Sequence, residues 1–124
     1  MISVRRVYEV PSDKDGIRIL VDRLWPRGIS KEKAEINFWF KDIAPSNELR
    51  KSYHSAAIDF NEFKRRYLLE LSESKSGDSL IRISEFIKAG DKNITLLYGL
   101  KDEINNNAAV LKEFILNKFI INKQ

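Results

Sequence analysis

A chain of 124 residues, 43% hydrophobic and 32% charged, is long enough for one domain with its own core and too apolar for bulk disorder. It has no cysteine, which excludes disulfides, thiol nucleophiles and thiolate metal sites, and its single histidine, His54, excludes a multi-histidine metal centre. No cofactor is evident, a hard cation such as Mg held by carboxylates stays open, and a net charge of +4 favours anionic partners.

The opening MISVRRVYEV lacks the basic-then-apolar layout of a signal peptide, and no apolar run nears the roughly 20 residues needed to cross a bilayer. The expectation is a cytoplasmic protein without a membrane partner. Val4 to Tyr8 is rich in β-formers and stops at the turn-like PSDKDG. Ile17 to Leu24 (IRILVDRL) reads as a strand, nearly continuous in its apolar middle, until Pro26 and Gly28 force the chain out. Ser30 caps a short helix over KEKAE, and INFWF at 36–40 is a strand or extended segment.

Ser46 then caps a helix through NELRKSYH, with Glu48 suiting its dipole. From Asp59, spaced to Glu62 as a capping box, a second helix lines up Phe60, Phe63, Tyr67 and Leu71 until Gly77 stops it. Asp78 or Ser79 caps the next, which shows Leu80, Ile83 and Ile87 on one face and ends at Gly90. ITLLY at 94–98 is the second continuous apolar run and reads as a buried central strand. One of Asn105, Asn106 and Asn107 caps a last helix that turns Val110, Leu111, Phe114 and Ile115 inward. No repeat or linker divides residues 1–124, so one domain is expected. Its class is α/β: a single open, mainly parallel sheet of three to four strands covered by helices, in Rossmann-like layers.

In such sheets ligands bind beyond the carboxyl ends of the central strands. One exit holds Asp22, Arg23 and Arg27, and the other holds Lys101, Asp102, Asn105 and Asn106 before a helix whose free N–H groups favour an anion. If the strands are parallel neighbours, the exits merge into a phosphate or carboxylate site. Arginine grips an anion with two donors and lysine acts as a point charge, while Asp22 or Asp102 moves a proton or holds a cation. The competing reading is plain architecture: Asp22 pairs with an arginine, Trp25 plugs the core, and Pro26 with Gly28 makes a turn.

Elsewhere Lys64, Arg65 and Arg66 form a basic run, which on an amphipathic helix reads first as a solvated face. His54 reads as a histidine facing a helix end, Trp39 and Tyr98 as core aromatics, and Ser46 as a cap and not a nucleophile. Neither a Walker loop nor a G-x-G-x-x-G run occurs.

Five segments, VRRVYE, LVDRLWPRG, WFKDIAPSNELRKSY, FKRRYLLEL and ITLLYGLKDEINNNAAVL, closely resemble in order and spacing the YeaO-like group of bacterial and archaeal proteins, within domain of unknown function 488. The resemblance spans nearly the whole chain. It implies a small α/β protein with an acid and an arginine after one strand and a polar signature after another. Those features fall on Asp22, Arg23, Pro26, Arg27, Lys101, Asp102 and Asn106. Lys41, Asp42, Pro45, Ser46 and Arg50 match the family's middle motif and, by the same resemblance, border the cleft. Relatives often carry a histidine around Ser55 and Asn105, where this chain has serine and asparagine, so histidine catalysis does not carry over.

Three functional readings follow, and the sequence leaves open whether the protein is an enzyme. In the first, Arg23, Arg27 and Lys101, with Lys41 and Arg50, hold a small phosphorylated or nucleotide-like anion that Asn106 orients, and Asp22 or Asp102 supplies any chemistry. In the second, the KRRY run contacts nucleic acid without catalysis. In the third, FILNKFII, prolonged by Ile120 and Ile121, makes the last helix a protein-interaction or self-assembly surface.

Overall fold

A computed structural model describes residues 1–73 and 77–120. Strands β1 (Ile2–Arg6), β2 (Ile17–Leu20), β3 (Phe38–Trp39) and β4 (Ile94–Tyr98) form one parallel sheet in the order β1-β4-β2-β3. ITLLY is therefore central and buried along its whole length, as its unbroken apolar run requires. The two apolar runs are parallel neighbours, with Ile17 opposite Ile94 and Leu20 opposite Leu97. Pairing ends earlier than the sequence suggests. β2 stops at Leu20, although the Val21 N–H still donates to the Leu97 carbonyl, and β1 stops at Arg6, with the Val7 N–H donating to Tyr98.

The strand period of two divides the side chains between two unequal cores. Ile2, Ile19, Val21, Ile94, Leu96 and Tyr98 face the larger one. Over them lie α2 (Asn47–His54), α3 (Phe60–Glu73), α4 (Gly77–Ala89) and α5 (Asn107–Ile115). These helices contribute Leu49, then Phe63, Tyr67 and Leu71, then Leu80 and Ile83, then Val110, Leu111 and Ile115, each stripe at helical spacing. Full burial of a large apolar side chain is worth about 1.5–3 kcal/mol, so these stripes fix the helices on the sheet. Tyr67, wholly buried, donates its hydroxyl to the Ile43 carbonyl at 2.6 Å, and burial pushes its phenol well above the usual range.

On the other face Leu20 and Leu97 meet Val7 and Ala34 under a cover that is mostly loop. Among the described residues its one helix is the short α1 (Lys31–Ala34), capped as expected by Ser30. Trp25 of DRLWPRG, with Ile29, Ile36 and Trp39, supplies the rest. Trp25 packs edge-on against Trp39, with centroids 5.4 Å apart, and donates its indole N–H to Ile29; Trp39 donates to the Asp22 carbonyl.

Ser46 and Asn106 cap α2 and α5 through the Leu49 and Ala109 N–H groups. Asp59 accepts from the Glu62 N–H, but the Glu62 carboxylate turns to Arg65 and Arg66 instead of closing the capping box. α4 starts at Gly77, so Asp78 and Ser79 lie inside its first turn and do not precede it. The Ser79 hydroxyl donates to Asp42. After α5 the chain winds through a wider turn, Leu116–Ile120, in which Leu116 and Phe119 reach the larger core and Ile120 is exposed. Ile121 lies outside the described residues. Among the described residues no helix is long and apolar enough to cross a membrane.

Candidate functional site

Beyond the carboxyl ends of β1, β2 and β4 the surface folds inward into a cavity of about 440 Å³, within the range of small-molecule sites. Three strand exits build it: Tyr8 after β1, Asp22 to Arg27 after β2, and Gly99 with Leu100 after β4. Helix α2 lends Arg50, Tyr53 and His54, which share one face at spacings of three and four. Phe63 and Asn107 close it from α3 and α5. The lining is largely aromatic and apolar, with a few charged groups set into it.

Asp22 stands at the polar heart of the cavity. Its Oδ2 accepts from the Gly99 N–H at 2.9 Å and its Oδ1 from Asn107 Nδ2 at 3.0 Å; Asn107 also donates to the Val21 carbonyl. Burial lifts its carboxyl pKa above the ordinary value, against the opposing pull of these two bonds and of the His54 and Arg50 charges. Residue 99 is glycine for reasons of space. A Cβ there would come within 3.1 Å of Asp22 Oδ2 and 3.5 Å of Pro26.

The arginines differ in what they are free to do. Arg23 donates from Nε to the Pro45 carbonyl at 2.9 Å and from Nη2 to Ala44 at 3.2 Å, which ties the β2 exit to the start of α2. Arg27 is exposed at the wall, and its carbonyl accepts the Tyr8 hydroxyl at 2.6 Å. Arg50 keeps its Nε buried with no hydrogen-bond partner among the described residues. Tyr53 has its phenol pushed up by burial, with the Asp102 charge adding to the effect.

Four further candidates do not line the cavity. Lys101 is exposed. Asp102 Oδ1 accepts from the Asn105 and Ile104 N–H groups, which shapes the turn before α5 and holds this carboxyl below its usual pKa. Asn106 is occupied as the α5 cap, with its amide donating to the Asp102 carbonyl. The Lys41 ammonium rests 4.0 Å from the centre of the Trp39 ring. The KRRY run is balanced by acids: Arg65 and Arg66 pair with Glu62, and Lys64 with Glu113. Among the described residues no group of three or more His, Cys, Asp or Glu is placed to hold a metal ion.

A family model described as the inactive DUF488-N3 subclade matches residues 1–124. The chain belongs to this subclade. The resemblance carried by the five sequence segments is thereby borne out. YeaO of Escherichia coli K12, an uncharacterised protein, is 40% identical over 114 residues, 92% of this chain and 96% of that one. Uncharacterised proteins of Mycobacterium bovis and of Mycobacterium tuberculosis H37Rv are each 38% identical over 114 residues, 92% of both chains. No solved structure matches the chain significantly.

For this subclade member the strand-exit rule, applied also to β1, points to Tyr8. The spacing Arg50–Tyr53–His54 marks a helical face that carries a cation, an aromatic and an imidazole together. Asn107 carries no comparable signal. It differs from the cap beside it only by the turn that α5 makes in one residue.

Proposed function

We propose that this protein binds a small phosphorylated or nucleotide-like anion in the cavity at the strand carboxyl ends. The observation that carries the reading is Arg50: its Nε is buried without a partner in the wall of a cavity large enough for a mononucleotide. An unpaired guanidinium donor in a shielded place is costly, and an anion held where the Arg50 side chain lines the cavity would offset that cost through its charge. Arg27, exposed on the same cavity, adds charge that the anion meets on entry, His54 beside it adds a ring nitrogen donor, and Trp25 and Tyr53 offer flat surfaces to its organic part. Arg23, with two donors already committed to carbonyls, supports the wall. The description of the subclade as inactive favours binding without turnover.

The test is thermal unfolding of the wild type and of Arg50→Gln against a panel of nucleotides and sugar phosphates. The expected result is a rise of several degrees in Tm with at least one ligand, strongly reduced in the variant. A panel that leaves the wild-type Tm unmoved removes the reading.

A further inference from the structure

The cavity wall carries groups of both signs. Arg50 and Arg27 supply positive charge, whereas Asp22, among the described residues, is the one carboxylate lining it. An anion alone has no use for that carboxylate and is repelled by it, so a ligand suited to the whole site must present donors as well as acceptors.

Asp22 has unused capacity to receive them. A carboxylate accepts about four hydrogen bonds, and each of its oxygens here takes one, from Gly99 and from Asn107. Among the described residues no basic side chain comes within salt-bridge distance of it. Its position is built into the fold, since the two bonds fix both oxygens and any side chain at residue 99 would crowd Oδ2. With one acceptor site open on each oxygen, the carboxylate matches two adjacent donors on a planar ring, and Trp25 and Tyr53 supply the matching flat walls.

Resting on the anion-binding reading above, we propose that Asp22 reads the N–H edge of a nucleobase. The ligand class is then a purine mononucleotide with adjacent ring N–H and amino donors, as in guanine, whose phosphate meets Arg50. Asp22 acts as a specificity residue that discriminates among bases and leaves the phosphate to the cations.

Titration calorimetry on the wild type with guanosine, inosine and purine riboside monophosphates, which offer two, one and no donors on that edge, tests this without relying on any variant. Affinity should fall along the series, by about tenfold or more from first to last, since hydrogen bonds to a charged acceptor are worth about 1.5–3 kcal/mol. Asp22→Asn should compress the series toward equality and, with a negative charge removed from the wall, bind ribose phosphate at least as tightly as the wild type does. Equal wild-type affinity for all three nucleotides overturns the role of Asp22 and leaves anion binding standing. Failure of all three, and of ribose phosphate, to bind removes both.

Discussion

Each end of β2 has an acid and an arginine in its neighbourhood, with different outcomes. At the amino end Asp15 and Arg18 are buried together. Asp15 accepts from Arg5 through both oxygens at 2.8 Å, from Arg18 and from the Ser12 N–H, while the rest of the Arg18 guanidinium donates to the Ala34 and Glu35 carbonyls. Burial works to raise the Asp15 pKa, but these bonds together outweigh it and hold the carboxyl below its ordinary value. At the carboxyl end the balance is reversed. Asp22 has two neutral donors and a raised pKa, and Arg50 keeps an unused Nε. A buried charge whose partners are complete is architecture, and one whose partners are incomplete invites a ligand.

Three measurements would break or sharpen this contrast. The largest effect is expected for Asp15→Ala, which leaves Arg18 buried without its counter-ion and should cost about 3–5 kcal/mol in urea unfolding. A loss below about 1 kcal/mol would mean that the carbonyl bonds suffice and that the two ends are more alike than their hydrogen bonds indicate.

Next in size is a difference in sign. With its folded pKa depressed, Asp15 contributes stability that is present above its unfolded value near 4 and lost as pH falls through the folded value. With its folded pKa raised, Asp22 contributes stability that is present below about 4 and lost as pH climbs to the folded value. Relative to wild type, Asp22→Asn should therefore gain stability as pH rises above about 4, by at most about 1.4 kcal/mol per pH unit. Asp15→Asn should lose ground over the range just below that pH. Unfolding curves with slopes of the same sign would dissolve the comparison.

The smallest effect is expected for Lys41→Ala, which removes a cation–π contact beside the sheet worth about 0.5–1 kcal/mol and touches neither end. Ligand-induced Tm shifts should be the same with or without it. A lost shift would extend the site beyond the cavity wall.

The sheet was legible because ITLLY and IRIL must be covered on both faces, and the α2 cap because Ser46 sits just ahead of its helix, whereas the run of three asparagines before α5 left its cap open. The division of labour within the site was much less so. Asp22 and Arg27 follow from the strand-exit rule, which says nothing about which donors are already spent. Arg23 looks as available as Arg50 until the Pro45 and Ala44 carbonyls are seen beside it. Asp102 looks like a twin of Asp22, yet the N–H groups two and three residues further on claim it for its own turn. Chain composition records the groups present, whereas partner geometry decides which remain free.

The strand at the centre of the sheet is also the last to be synthesised. β1 and β2 share no hydrogen-bonded edge, and they meet β4 across 87 and 73 residues of intervening chain, from Arg6 and from Leu20 to Ile94. On the ribosome β1 therefore waits unpaired until Ile94–Tyr98 has emerged, and assembly of the sheet is a late, non-local event with the slow kinetics of high contact order. Any fragment ending before Ile94 lacks the strand that joins the two halves and exposes apolar edges prone to aggregation.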